Sequence, residues 1–268
     1  MINNLSLVQN YACFDKHRVG FVLDNLYDFS KILNHFKVKS LVNYNTNHYY
    51  PIIKDGYKKF INDINFENDL GDNWCEIIEN LLLRVETEYV MCLCEDFLFS
   101  DNLLLWEKIM NEAFLYENAD YLHLGEIHKQ EQVERKFEYD KEFCRYYTPF
   151  NTVHTGISLD GIHKTSNLLS HIRTIKNHQK KIGFNYSEKK FHTSRMNFPE
   201  RFFREHLGGL SNVFETSFSH FTEKKYLCAW PKSMITTHAT YIQSLANHNF
   251  KNYNPKNSIA IDFLNKQQ

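Results

Sequence analysis

Residues 87–101 read TEYVMCLCEDFLFSD. An apolar run from Tyr89 to Cys94 stops at two adjacent carboxylates, Glu95 and Asp96. Carboxylates are rarely buried without a partner, so this pair belongs at an edge, against a cation or in a cleft. Both flanks of the run carry a helical pattern. Before it, residues 75–85 (CEIIENLLLRV) place Ile77, Ile78, Leu81, Leu82 and Val85 on one face. After it, residues 102–114 (NLLLWEKIMNEAF) read as a second helix. A short buried strand between two helices is the signature of a βαβ unit.

Working outward, the alternation continues. Residues 19–24 (VGFVLD) read as a strand, followed by a helix that spaces Leu26, Phe29, Leu33 and Phe36. Residues 38–45 (VKSLVNYN) form a second strand that ends in the turn-prone Asn45-Thr46-Asn47. The stretch 62–74 reads as a polar connection punctuated by Gly71, and residues 119–127 (ADYLHLGEI) as one more strand. This order predicts an α/β fold with a mostly parallel sheet. In such sheets ligands bind beyond the carboxyl ends of the strands, which is where Glu95 and Asp96 fall.

Composition narrows the function classes. Of 268 residues, 43% are hydrophobic and 24% charged, enough apolar material for a full core. A formal net charge of −1 argues against a dedicated nucleic-acid binder. The six cysteines contain no C-x-x-C pair, so a zinc ribbon is not indicated, and Cys92 and Cys94 read as small buried hydrophobes in a reducing compartment. The first twenty residues lack a signal peptide's basic start and long apolar stretch. No segment approaches ~20 consecutive apolar residues. The expectation is a cytoplasmic protein without a transmembrane segment. G-x-G-x-x-G and G-K-[ST] are both absent, which counts against dinucleotide-dependent dehydrogenases and P-loop kinases. The region from Asp160 to Glu205 is rich in Lys and Arg, and the region from Asp55 to Asp101 in acids. Such a pairing can clamp a metal-bound diphosphate or meet an anionic membrane surface peripherally, although a solvated helical face explains the same charges.

Trp74, an amphipathic helix, Thr87-Glu88-Tyr89-Val90, an apolar strand, Glu95-Asp96 and Phe97 follow one another in that order. The series resembles the core of GT-A-type glycosyltransferases, in particular the family-2-like bacterial enzymes of surface-polysaccharide synthesis. Their pattern runs W-x(2)-L-x(2)-A-L and then T-x-Y-V-L-L-L-(D/E)-D-x-F. The likeness covers about residues 70–100 well. It extends weakly to 19–45 and to 153–164 (VHTGISLDGIHK).

This resemblance implies a three-layer α/β/α sandwich with a more helical C-terminal half. Residues 1–130 would form the nucleotide-sugar-binding half, and residues 131–268 the acceptor-binding half of the same domain. It implies sugar transfer from a nucleotide-sugar donor to a glycan or lipid-linked acceptor, at the inner face of a membrane. A hard divalent cation, Mn²⁺ or Mg²⁺, held by carboxylates would bridge the donor's diphosphate and stabilise its leaving charge.

The family's acids stand two apart on one strand face, whereas here Cys94 occupies the position two before Asp96. Asp96 is therefore the better metal ligand, and Glu95 a candidate for the sugar or a basic side chain. His238, or His220, is the candidate distant metal ligand. For the base that deprotonates the acceptor, the candidates are Glu200 and Asp160, although Asn197 and Glu200 also read as a helix capping box. Asp24 and Asn25, at the end of the expected first strand, are candidate donor contacts. So are Asn43 to Asn45, and Asp63 or Asp69 before Trp74.

Two other readings stay open. One is a non-catalytic relative that binds a nucleotide or glycan, favoured by the missing first acid. The other is nucleotidyl transfer on the acid pair, which lacks its usual N-terminal signature here.

Overall fold

The computed structural model describes residues 4–11, 15–44, 48–68, 70, 74–93, 97–124, 137–148, 161–181, 226–239 and 250–266. The chain opens with β1 (Leu5–Tyr11), α1 (Lys16–His35), β2 (Lys39–Tyr44), α2 (Tyr50–Phe60) and β3 (Ile64–Asn68). Helix α3 (Trp74–Leu82) leads into β4 (Tyr89–Cys92), then β5 (Phe97–Phe99) and α4 (Leu103–Met110). The last helix runs on as a π-helical segment, Asn111–Tyr116. There follow β6 (Tyr121–His123), β7 (Tyr139–Asp140), β8 (Cys144–Tyr147), β9 (Gly161–Lys164) and α5 (Thr165–Lys181). Strands β10 (Cys228–Pro231) and β11 (Thr236–His238), a 3-10 turn (Phe250–Asn252) and α6 (Ser258–Lys266) complete the described chain.

Nine strands form one sheet in the order β3-β2-β1-β4-β9-β6-β10-β8-β7. Only β9 and β8 run against the others. The sheet draws strands from both halves of the sequence, because β9 is inserted between β4 and β6. Side chains alternate across it, as the pleat requires. Leu5, Leu7 and Met91 join α1, α2 and α4 in one core; Val8, Val90 and Cys92 join α3 and α5 in another. The result is the expected α/β/α sandwich.

The first strand is a correction. Residues 19–24 are helical, inside α1, although their β-branched and aromatic content reads equally well as a strand. What settles the matter is a capping side chain. Asp15 accepts hydrogen bonds from the amides of His17 and Arg18, at 2.9 and 3.1 Å. That starts the helix before Val19. Val19, Val22, Leu23, Leu26, Phe29 and Leu33 then fall on one buried face. The true first strand is Leu5–Tyr11, in the centre of the sheet's parallel half.

The polar connection expected over 62–74 is likewise corrected: Ile64–Asn68 is the edge strand β3, pairing Phe66 with Val42. An edge strand with one partner tolerates Asn and Glu at alternate positions, so its pattern is weakly apolar. The helix expected over 102–114 ends its α-form at Met110. Among the described residues, no helix is long and apolar enough to cross a membrane.

Candidate active site at the strand ends

Strand β1 is the switch point of the topology. The chain leaves it through α1 on one face to reach β2, and returns through α3 on the other face to reach β4. Where connections diverge in this way, a crevice opens beyond the carboxyl ends of the two central strands. Strands β1 and β4 run parallel with Val8 opposite Cys92. At this edge β1 ends in Gln9-Asn10-Tyr11, and β4 runs through Leu93 into Cys94-Glu95-Asp96.

The described part of this rim is built from amides. Asn10 lies opposite Asn43 in the β1–β2 register, and the Asn43 side-chain amide donates to Asn10 Oδ1 at 2.8 Å. Asn43 is fully buried, and its own Oδ1 accepts nothing among the described residues. On the opposite face, Tyr57 of α2 donates its hydroxyl to Gln9 Oε1 at 2.7 Å. These partners lock the ends of β1 and β2 through neutral groups. Gln9 and Asn10 were absent from the candidates drawn from sequence. The available signal was the alternation of Leu5, Leu7 and Gln9 in LSLVQNY, which identifies a strand ending in polar residues.

A second structure borders the same edge. Strands β5 and β11 form a two-stranded antiparallel ribbon in which His238 lies opposite Phe97, Thr237 opposite Leu98 and Thr236 opposite Phe99. The Ser100 amide continues the pairing by donating to Ile235 O at 2.9 Å. Phe97 immediately follows Asp96, so the backbone brings His238 opposite the residue next to the acid pair.

A third segment reaches β4 from within the sheet. Gly161, the residue after Asp160, begins β9 and lies opposite Cys92 on one side and His123 on the other. Cys94, Glu95, Asp96, Asp160 and Glu200 themselves lie outside the described residues, as do Asn45, Asp69, His220 and the side chain of His238. Among the described residues, no three His, Cys, Asp or Glu side chains converge as a metal site. In sequence, the carboxylates of Glu95 and Asp96, oxygen donors of the kind a divalent cation takes, follow β4.

Other sequence-derived candidates fall elsewhere. Asp24 and Asn25 lie within α1 rather than at a strand end, and Asp24 is buried against the C-terminal segment. Asp63 precedes β3, at the opposite edge from the strand ends, and its carbonyl accepts from the Ser40 amide. Three of the basic residues are engaged with acids. Lys164 pairs with Asp120 at 3.3 Å, and Arg173 and Lys176 both meet Glu79 of α3. Those two cations hold the Glu79 carboxyl below its usual range, the Lys176 hydrogen bond contributing most. The strongly displaced groups Cys144 and Tyr146, both pushed up by burial, belong to β8, remote from β1 in the sheet.

No family model and no curated protein matches the sequence. Solved structures do. Staphylococcus aureus TarS matches with a TM-score of 0.50 at 12% identity, over 88% of this chain and 36% of that one. TarS is a GT-A-type glycosyltransferase of wall teichoic acid synthesis. This chain has a GT-A-type fold. TarS residues 1–349 give 0.49 at 13% identity, over 88% of this chain and 60% of theirs. The same fragment in complex with UDP-GlcNAc gives 0.45 at 13% identity, over 86% and 59%. The chain thus spans between a third and two thirds of the TarS structures it matches. At such identity the likeness concerns the GT-A-type fold, and the chemistry must be argued from the strand ends.

Proposed function

We propose that this chain is a nucleotide-sugar-dependent glycosyltransferase. The observation that carries the reading is the meeting of the β1–β4 switch point with the β5–β11 ribbon, which the sequence joins through Glu95-Asp96, between β4 and β5. TarS, whose fold this chain shares, has been solved with UDP-GlcNAc and with UDP. That supports a nucleotide diphosphate-sugar as the donor class here.

In this reading the amide rim at Asn10 and Asn43 lies beside the nucleoside. Asp96 and His238 would hold Mn²⁺ or Mg²⁺, and Glu95 would face the sugar or a cation. When bound, the metal neutralises charge developing on the departing diphosphate. The chain's own tasks are to orient the donor and exclude water from the bond that breaks. Asp160 or Glu200 takes the proton from the attacking hydroxyl of the acceptor, a glycan or lipid-linked sugar of surface-polysaccharide synthesis. Cys94, standing where a first acid would, favours a second reading in which the chain binds nucleotide without turnover.

The test is a thermal-shift screen of UDP, GDP, CMP and UDP-GlcNAc, with and without Mn²⁺, on wild type and Asp96→Ala. A shift that needs Mn²⁺ and vanishes in the variant is expected. If binding survives Asp96→Ala and no sugar is transferred, the chain is a binding relative. No shift with any nucleotide would sink both readings.

A further inference from the structure

Asp24 is a buried carboxylate in the middle of α1, and all three of its described donors come from the C-terminal segment. The Tyr253 hydroxyl, the Lys256 amide (2.8 Å) and the Asn257 amide donate to it. Asn257 answers by donating its side-chain amide to the carbonyls of Leu23 and Asp24, each at 2.9 Å. Its Oδ1 meanwhile accepts from Ala260 and caps α6. Asn25 donates to Phe21 O at 2.7 Å and to the Tyr253 oxygen at 3.4 Å. Burial, and then its hydrogen bond to Asp24, push the Tyr253 phenol well above its ordinary value, so it remains a donor. A buried charge satisfied by several donors is costly to disturb, because breaking the set leaves it unpaired.

The segment held by this clamp also closes over the ribbon. Phe21 packs against Phe250 and Tyr253, with ring centroids 5.1 and 4.8 Å apart. Phe21, Ala239 and Phe250 form one buried cluster, with Leu98 and Tyr253 against it. Ala239 directly follows His238, and Leu98 adjoins Phe97. About two turns beyond Phe21 along α1, Phe29 stacks on Phe99 at 4.3 Å and 15°. Helix α1 therefore grips β5 and Ala239, the residue that follows β11, with Asp24 fixing the segment packed against them.

We propose that Asp24 is a positioning residue: its clamp on Tyr253 and Asn257 holds the β5–β11 ribbon against α1, and so sets the residues that follow Asp96 and include His238. The statement that the ribbon frames a donor site rests on the transferase reading. The clamp itself does not.

The experiment is hydrogen–deuterium exchange on the full chain, comparing wild type with Tyr253→Phe and Asp24→Asn. The first variant keeps the ring on Phe21 and removes only the donated hydroxyl; the second keeps the volume. Amides of 97–100 and 235–239 are expected to exchange about ten-fold faster or more, as for the loss of one hydrogen bond to a charged group. Amides of β1 and β2 should hold. Unchanged exchange in the ribbon, or equal acceleration throughout the sheet, would overturn the clamp. UDP affinity in Mn²⁺ is measured on the same samples, with a loss of at least about five-fold expected in Tyr253→Phe, the weight of a modest displacement of one ligand-bearing segment. Faster ribbon exchange with unchanged affinity would sever the ribbon from the donor site. If wild type binds no nucleotide, the transferase reading fails while the exchange data still decide the clamp.

Discussion

Adding one methyl group at Gly161 tests the geometry of the sheet at the point where it reaches the candidate site. Gly161 lies in β9 between Cys92 of β4 and His123 of β6. A Cβ there would sit 2.3 Å from Tyr121 Cε2 and 2.8 Å from the Leu122 carbonyl oxygen. Neither obstacle yields easily. Tyr121 is 1% exposed, with its ring against His163 at 4.7 Å, and the Leu122 carbonyl is backbone within the paired ladder. Overpacking of a filled core costs typically 1–3 kcal/mol, and backbone opposition puts Gly161→Ala at the upper end, about 3 kcal/mol. For a chain of this size that corresponds to a fall in Tm of about 6 °C. Gly20→Ala is the matched control. The three atoms nearest its Cβ all belong to the Leu264 side chain, at 3.0–3.2 Å. The helix propensity gained, about 1 kcal/mol, offsets that crowding and leaves the variant near wild type. Urea unfolding and thermal melts of the two variants side by side provide the measurement. If Gly161→Ala loses no more stability than Gly20→Ala, the close approach of β6 to β9 is not as described and the reasoning fails.

Two further outcomes follow from buried or paired acids. Glu112, in the π-helical segment, accepts from the amides of Phe143 and Cys144 at 3.0 and 2.8 Å. Glu112→Ala should cost about 3 kcal/mol by orphaning those donors, and Glu112→Gln less; a urea-derived loss below about 1 kcal/mol would count against this. Glu79 is held below the usual carboxylate range by Lys176 and Arg173, so its folded form binds a proton less readily than its unfolded form. Its contribution is present at and above the ordinary carboxylate pKa and is lost as the pH falls below it. Protection factors of the amides in α3 and α5, measured from pH 6 down to about 3, should fall more steeply than in Glu79→Gln. Parallel profiles would show that the pairs with α5 carry no stability.

Local patterns in the sequence determined much of the architecture. The apolar run ending in Glu95-Asp96, the helical spacing of Ile77 to Leu82 and the strand at Lys39–Tyr44 were legible because each is set by periodicity within a few residues. They were enough to imply an α/β sheet and to put the acid pair at a strand end. Residues 19–24 were ambiguous for a physical reason: a short β-branched and aromatic run buries equally well in either form, and only the Asp15 cap and the packing of α1 decide it. The three-residue strands β5 and β11 carry no readable period. Their pairing joins Phe97 to His238 across most of the chain, and it depends on the cluster of Phe21, Ala239 and Phe250 that only the folded molecule assembles. Asp24 shows the same division. In sequence it is a polar residue after an apolar run, free to be a ligand contact. In the fold it faces the C-terminal segment, because α1 turns its side chain towards donors more than two hundred residues distant.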